Sequence, residues 1–274
     1  MFRKLMLIAI LLLVPLFGFV AFLTIMQTRL ILPANVNTTE NPAPGTYQTL
    51  SIATPDGATL HGILFPAKTT SNTTLILAFP GNAHNPVGFA TFLHTQVFPE
   101  NNIAIAALSY RGYPNGLTPP STGTPSQAAM YADSLLIYDT LTAQLKPTQV
   151  KVVGYSIGTA VSTYLGIHRK VAAMALVAPI ASVRRIAQEK YPWLPIRLLL
   201  RHPFAVEDMI GRLKTAATLI YSPTDGLVPV AHVTTILHNA NPAIPQIAVP
   251  NTDHVSLVLA PELPNLLRTA LATE

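Results

Sequence analysis

The pentapeptide Gly154-Tyr155-Ser156-Ile157-Gly158 decides how the rest of this chain is interpreted. A short apolar run, residues 150–153, precedes it, and a helix-compatible stretch, residues 159–168, follows it. Strand, sharp turn and helix in this order are the context of a nucleophile elbow, a turn that carries a serine hydroxyl into a cleft. The turn brings two backbones together, so glycines are needed where a Cβ would not fit. We therefore predict that Ser156 is a nucleophile.

Apolar runs alternate with helix-compatible stretches along most of the chain, and this alternation predicts the fold class. A hairpin is predicted over residues 49–65, because the turn signal Pro55-Asp56-Gly57 separates two apolar runs. Further strands are predicted at 74–79, 103–109, 150–154, 172–178, 218–221 and 246–249, and helices at 86–98, 127–145, 159–168 and 257–271. This order predicts an α/β protein whose mostly parallel central sheet carries helices on both faces and begins with an antiparallel hairpin.

A serine hydroxyl is a weak nucleophile at neutral pH, so the chain must also supply a base and an acid that orients it. In this architecture the acid follows the serine and the histidine follows the acid. Asp225 lies directly after the predicted strand 218–221, where ligand-facing groups collect in open α/β sheets. His254 lies between the last predicted strand and the last predicted helix. We predict these two as the partners of Ser156; the alternative for Asp225 is a simple Asp-Gly turn.

The other histidines after Ser156 are less well placed. His168 ends the elbow helix, His202 lies in a long insertion, and His232 and His238 are predicted on a solvated helix face. Asp253 is the sequence neighbour of His254 and is poorly placed to reach its ring, so Asp225 is preferred as the orienting acid.

The tetrahedral intermediate of acyl transfer needs hydrogen-bond donors aimed at its oxyanion. One predicted donor is the backbone N–H of Ile157, immediately after the nucleophile. The other is the N–H of Asn82, in the loop 80–85 that follows the strand 74–79. His84 in this loop is predicted to line the cleft as a substrate-binding residue, together with Tyr155; a second acid/base role is its alternative.

Bulk composition excludes several classes of protein. There is no cysteine among the 274 residues, which excludes disulfides and thiolate metal sites. The net charge is +5 without a long basic run, so nucleic acid is not a predicted partner. The 25 prolines exclude a long-helix or coiled-coil architecture. No metal or organic cofactor is predicted.

Residues 5–26 carry no charged side chain and predict a membrane anchor over 1–29. At about 1.5 Å per residue this helix would be about 33 Å long, enough to cross a hydrocarbon core of about 30 Å. A cleavable signal peptide is the alternative, but residues 22–26 offer no small-x-small cleavage site. Arg3 and Lys4 predict a cytoplasmic N-terminus and an extracytoplasmic domain, periplasmic or lumenal, although Arg29 lies on the far side. A linker at 30–46 and one domain at 47–274 follow.

Together these motifs resemble the α/β-hydrolase superfamily, and within it the membrane-anchored serine hydrolases of the alpha/beta-hydrolase-domain-containing type. The resemblance covers residues 47–274. It is carried by Phe79-Pro80-Gly81-Asn82-Ala83, Tyr110-Arg111-Gly112-Tyr113, the pentapeptide, Asp225 with Val228-Pro229, and His254. It implies an α/β-hydrolase fold, a catalytic triad of Ser156, Asp225 and His254, and an oxyanion hole at Asn82 and Ile157. The family usually has His where Pro80 stands and Gly where His84 stands, and neither change removes the Asn82 amide.

The sequence allows two interpretations each for Arg111 and for the insertion at 179–214. Arg111 is predicted to fix the loop between strand and helix, with a substrate carboxylate as the other possibility. By resemblance, the insertion at 179–214 is a small cap over the active site, whose apolar side would line an acyl pocket and whose basic residues would contact anionic headgroups. An ordinary packed insertion with a solvated basic face is equally compatible with the sequence.

The sequence thus favours an ester or thioester hydrolase that acts through an acyl-enzyme, with an acyl ester or a lipid as substrate and the membrane as partner through the N-terminal helix. A serine peptidase of the same fold and a non-catalytic binding protein are the alternatives. The presence of Ser156, Asp225 and His254 argues against a non-catalytic binding protein.

Overall fold

The computed structural model describes residues 2–34, 46–69, 71–99, 102–240 and 243–272. Within this part of the chain the strands form one eight-stranded sheet in the order β1-β2-β4-β3-β5-β6-β7-β8. The strands are β1 (Gln48–Ala53), β2 (Thr59–Phe65), β3 (Thr74–Phe79), β4 (Ile103–Leu108), β5 (Gln149–Tyr155), β6 (Ala173–Val177), β7 (Ala216–Tyr221) and β8 (Gln246–Ala248).

The sheet is mostly parallel, as the sequence predicts. β1 and β2 form the antiparallel hairpin, and β2 pairs antiparallel with β4. All pairings from β4 through β3, β5, β6 and β7 to β8 are parallel. Parallel strands covered on both faces are expected to be apolar throughout, and every residue of β3 and β6 is buried.

The helices cover both faces of this sheet. The helices of the described residues are α1 (Phe2–Ile31), α2 (Pro86–Phe92), α3 (Gln127–Leu145), α4 (Ile157–His168), α5 (Val183–Lys190), α6 (Ile196–Leu199), α7 (Val206–Met209), α8 (Val230–Asn239) and α9 (Leu263–Leu271). One core cluster joins the sheet to α3, α4 and α8, and a second joins it to α2 and α9. Alternate residues of β3 enter different clusters, Leu75 and Leu77 the first and Ile76 the second, because successive strand side chains point to opposite faces.

Two helices differ from their sequence predictions. The helix predicted at 86–98 is α-helical to Phe92 and continues as a π-helical turn, Leu93–Val97. The helix predicted from 257 begins at Leu263, after a single 3-10 turn at Ser256–Leu259. Pro261 and Pro264 explain the later start, because proline disfavours the helical conformation before it and is tolerated within the first helical turn.

Helix α1 is apolar and largely exposed. Its stretch Leu13–Ile31 is long and apolar enough to cross a membrane, and 6% of that stretch is buried. The helix ends at Ile31, two residues beyond the predicted anchor, and Leu32 then enters the core. Most of the predicted linker, residues 35–45, lies outside the described residues.

Candidate active site

Ser156 stands in the turn between β5 and α4. Its backbone has φ +52° and ψ −119°, a conformation that costs a non-glycine residue about 1–3 kcal/mol and persists only where the surroundings impose it. The strand and helix backbones meet closely here, since a Cβ on Gly154 would overlap the Ser162 hydroxyl and one on Gly158 would overlap the Phe79 carbonyl. Both glycines are therefore required by crowding, and they hold the serine in its strained turn.

A continuous set of hydrogen bonds joins Ser156, His254 and Asp225. His254 Nε2 lies 2.9 Å from Ser156 Oγ, and His254 Nδ1 lies 2.7 Å from Asp225 Oδ2. A carboxylate only accepts, so Nδ1–H is the donor to Asp225 and Nε2 is left to accept from the serine hydroxyl. The other oxygen of Asp225 accepts from the backbone N–H groups of Leu227, at 2.9 Å, and Val228, at 2.7 Å. The carboxylate is fully engaged and fixes the imidazole's tautomer and orientation.

The loops that carry Asp225 and His254 are tied to each other. Asp225 follows β7 and His254 follows β8. The hydroxyls of Ser222 and Thr224 both donate to the carbonyl of Thr252, two residues before the histidine. These bonds keep the acid and the histidine in register across the end of the sheet.

Tyr155 supports the histidine from the other side. Its hydroxyl donates a 2.7 Å hydrogen bond to the His254 carbonyl, and its ring is buried. Burial raises the pKa of the Tyr155 phenol well above its usual value, so the hydroxyl stays protonated and remains a donor. Tyr155 is not among the residues that line the cavity at Ser156, in contrast to its predicted substrate-binding position.

His84 also lies outside the cavity lining. Its ring packs against Phe89, with ring centres 5.2 Å apart, and against Tyr155, at 5.3 Å. Burial lowers the pKa of His84 to about 4, so the imidazole is neutral at pH 7. The structure places it in aromatic packing between α2 and the elbow strand β5.

Both predicted oxyanion donors belong to residues that line the cavity beside Ser156. Ile157 is the first residue of α4, so its N–H has no acceptor within the helix. The loop that holds Asn82 passes directly against the nucleophile, since a Cβ on Gly81 would stand 3.4 Å from the Ser156 Cβ. The Asn82 side chain is fixed at both ends: its oxygen accepts from the Tyr113 hydroxyl at 2.6 Å, and its NH2 group donates to the Ile31 carbonyl at 2.6 Å.

Arg111 has a structural position. Its guanidinium forms a two-pronged pair with Asp133, at 2.9 and 2.7 Å, and a third bond to Asp56 at 2.5 Å. The interpretation of Arg111 as a residue that fixes its loop is the one this geometry favours, and Asp56 adds an ion pair to its turn.

His232 differs from its prediction as a solvated side chain. It is fully buried, with Nδ1 3.2 Å from the Ala181 N–H and Nε2 3.4 Å from Glu189. Nδ1 therefore accepts from the backbone and joins α8 to the start of the insertion at 179–214, for which we keep the name cap. Asp253 accepts from the N–H groups of Val255 and Ser256, and thus closes its own turn.

A cavity of about 440 Å³ opens above Ser156. The cap supplies one wall, with Val183, Ile186, Ala187, Leu194, Ile196, Leu199 and Leu200. Helix α1 supplies another, with Val20, Leu23, Thr24, Gln27, Leu30 and Ile31. The second wall is not among the sequence predictions, because the uncharged stretch of α1 is predicted only as an anchor.

The last turns of α1 are attached to the cap by specific contacts. The Gln27 side chain is buried; its NH2 group donates to the Leu199 carbonyl at 3.1 Å and its oxygen accepts from the Arg201 N–H at 2.6 Å. The Thr28 hydroxyl lies 2.9 Å from His202 Nε2.

Comparison with known proteins agrees with this architecture. No protein-family model matches the chain. It is 28% identical over 223 residues to an uncharacterized protein of Mycobacterium tuberculosis, across 77% of this chain and 74% of the relative. It is 26% identical over 186 residues to the alpha/beta hydrolase domain-containing protein aho-3 of Caenorhabditis elegans, across 67% of this chain and 53% of the relative.

A second pair of comparisons concerns named hydrolases. The chain is 29% identical over 134 residues to the lysophosphatidylserine lipase ABHD12 of Mus musculus, which covers 49% of this chain and 28% of that lipase. Among solved structures, an esterase of Pyrococcus furiosus superposes with a TM-score of 0.65 at 16% identity, covering 86% of this chain and 96% of the esterase. At this identity the likeness shows the fold.

Proposed function

We propose that this chain, a member of the α/β-hydrolase superfamily, is a serine hydrolase that cleaves carboxylic ester or thioester bonds of acyl substrates. The observation that carries the proposal is the hydrogen-bonded series from Asp225 through His254 to Ser156, set at the base of an apolar cavity. A nucleophile, a base and an orienting acid in this geometry are what two-step acyl transfer requires.

The reaction follows from the positions of these groups. Ser156 Oγ attacks the substrate carbonyl carbon while His254 Nε2 takes the hydroxyl proton, and Asp225 stabilises the imidazolium that forms. The backbone N–H groups of Ile157 and Asn82 donate hydrogen bonds to the oxyanion of the tetrahedral intermediate. His254 returns the proton to the leaving alcohol or thiol, which departs and leaves the acyl-enzyme. His254 then takes a proton from water, whose oxygen attacks the acyl carbon. The bond from the acyl carbon to Ser156 Oγ breaks, the acid departs, and His254 returns the proton to Ser156 Oγ.

The size and the lining of the cavity are consistent with an acyl substrate. Its volume lies within the range of about 300–1,000 Å³ that is usual for small-molecule sites, and its lining is predominantly aliphatic. The mouse relative's name as a lysophosphatidylserine lipase adds support for a single-chain lipid, although the chain spans 28% of that relative.

The membrane position is part of the same proposal. Helix α1 would anchor the protein by a single span, supported by the uncharged stretch 5–26 and by the apolar segment Leu13–Ile31. Arg3 and Lys4 before the span favour a cytoplasmic N-terminus, with the hydrolase domain on the extracytoplasmic side.

The test is covalent labelling of the full-length protein by a fluorophosphonate probe, together with hydrolysis of p-nitrophenyl esters from acetate to palmitate. We expect labelling and hydrolysis in the wild type and neither in Ser156→Ala. Ser51→Ala, the same change at an exposed position of edge strand β1, is the control and should match the wild type. A wild type that neither labels nor exceeds Ser156→Ala on any ester would overturn the proposal.

A further inference from the structure

We infer that α1 forms one wall of the acyl-binding site, and that this site takes a single long acyl chain from within the bilayer. The inference rests on the proposed serine hydrolase function and on membrane anchoring by α1. It adds a role that an anchor does not need: the helix would determine which acyl chains reach Ser156.

One face of α1 lines the cavity. The lining residues Val20, Leu23, Thr24, Gln27 and Ile31 are spaced by three or four positions, so they share one side of the helix. Ile31 lies at the nucleophile, because its carbonyl accepts from Asn82. At 1.5 Å per residue, Val20 lies about 16 Å further along the axis. The helix therefore follows the cavity from the reacting serine towards the membrane.

The contact between α1 and the cap includes specific hydrogen bonds as well as apolar packing. Gln27 is buried and has both ends of its amide bonded to the cap backbone at Leu199 and Arg201. Further along the helix, Phe19 stacks on Trp193 of the cap with ring centres 6.2 Å apart. A tether that left the domain free would not place a polar amide in a buried position with complementary partners. Helix α1 is thus a fixed wall of the cavity, held to the cap by these contacts.

The length of α1 places the tip of the cap within the membrane. From Lys4 to Phe19 the helix rises about 22 Å, which is less than the hydrocarbon thickness of about 30 Å. With Lys4 at the inner boundary, the Phe19–Trp193 contact lies inside the outer half of the apolar layer. The cap presents an exposed apolar side chain there, because Trp193 is 56% exposed. Tryptophan is one of the two aromatic residue types that are enriched near membrane interfaces.

Exposed basic side chains lie where lipid headgroups would be. Arg29 is near the outer end of α1, and Arg197 and Arg201 flank the exposed Leu198 side of the cap. Cationic residues beside an immersed apolar surface favour anionic headgroups. Together with an aliphatic cavity that begins at Val20, this arrangement fits a bilayer-resident acyl ester that moves laterally into the site with its chain along α1.

The test compares two tryptophan substitutions in α1 of the full-length protein, reconstituted in phosphatidylcholine vesicles. Leu23→Trp would fill the cavity, whereas Ile25→Trp, at a lipid-facing position that is 71% exposed, is the matched control. We expect Leu23→Trp to lower the ratio of kcat/KM on p-nitrophenyl palmitate to kcat/KM on p-nitrophenyl acetate at least tenfold. Ile25→Trp should leave this ratio unchanged. Equal chain-length profiles of the two variants would overturn the inference while leaving the hydrolase proposal intact.

A second measurement does not depend on turnover. Ser156→Ala in the same vesicles is irradiated with a lysophosphatidylcholine that carries a diazirine at the end of its acyl chain, and cross-linked peptides are identified by mass spectrometry. Cross-links to Leu199 and Leu200 of the cap and to Leu23, competed by unlabelled lysophosphatidylcholine, are the expected result. Cross-links confined to the lipid-facing Phe22 and Ile25 would overturn the inference, even for a protein with no esterase activity.

Discussion

The side-chain NH2 group of Asn82 donates a 2.6 Å hydrogen bond to the carbonyl oxygen of Ile31, the last residue of helix α1. Asn82 is also the residue whose backbone N–H is proposed to bind the oxyanion. The carbonyl groups at the end of a helix have no partner within the helix, so a side-chain donor here satisfies one of them. Through this bond the N-terminal helix and the oxyanion loop support each other.

Asn82→Ala should lower kcat although the backbone N–H is retained. The substitution removes the bonds to Ile31 and Tyr113 that hold the loop against Ser156. Complete loss of an oxyanion donor costs about 10²–10³ in kcat, so a misaligned donor should cost about tenfold. The measurement is kcat and KM on p-nitrophenyl acetate, where KM should change little. Tyr113→Phe removes only one of the two hydrogen bonds and should give a smaller decrease in kcat. An unchanged kcat in Asn82→Ala would show that the position of the loop 80–85 does not depend on the Asn82 side chain.

Asp225→Asn should abolish most activity without unfolding the protein. An asparagine can keep the contact with His254 but stabilises the wrong tautomer and no longer stabilises the imidazolium, which costs about 10⁴-fold in kcat in a serine–histidine–aspartate system. Asp253→Asn is the matched control, because that carboxylate closes its own turn with Val255 and Ser256. Its kcat should stay within tenfold of the wild type. A larger loss of kcat in Asp253→Asn than in Asp225→Asn would show that Asp225 is not the acid that orients His254.

Local signals in the sequence were sufficient for much of the architecture. The bounds of β3 and α3 equal those predicted, since a wholly apolar run and helical periodicity that begins after the N-cap Ser126 are both local properties. The sequence order of Ser156, Asp225 and His254 also predicts which side chains meet, because strand ends in a parallel sheet share one edge. Their catalytic roles stay a prediction.

Other features depend on tertiary packing that no local pattern specifies. The burial of His232 follows from the cap that covers α8, so helical periodicity alone assigns it to the wrong environment. The stretch 5–26 of helix α1 is almost entirely apolar, and such a stretch does not reveal which face meets protein. Gln27 and Thr28, polar residues just beyond the uncharged stretch, are the one signal in the sequence that this helix has specific partners.

The two carboxylates on Arg111 should contribute unequally to stability. Asp133 is buried with its partner, with 8% of its side chain exposed, whereas 62% of the Asp56 side chain is exposed. Breaking a buried pair costs about 3–5 kcal/mol and an exposed pair about 0–1 kcal/mol. Thermal unfolding in detergent should therefore show a large loss for Asp133→Asn and a small one for Asp56→Asn. Both should keep the wild-type kcat and KM per folded molecule; a selective rise in KM would instead favour a substrate-carboxylate role for Arg111.

His84 should make stability depend on pH below neutrality. Burial lowers the pKa of His84 from 6.5 to about 4, so the folded state favours the neutral ring. A lowered histidine pKa contributes stability that is complete above pH 6.5 and is lost as the pH falls from 6.5 towards 4, because the unfolded chain binds the proton first. Between pH 7 and pH 5 this corresponds to about 2 kcal/mol. His84→Phe keeps the ring contacts with Phe89 and Tyr155 and removes the titration. Unfolding midpoints measured at pH 7, 6 and 5 should fall more steeply for the wild type than for His84→Phe, whereas parallel curves would mean that folding does not lower the pKa of His84.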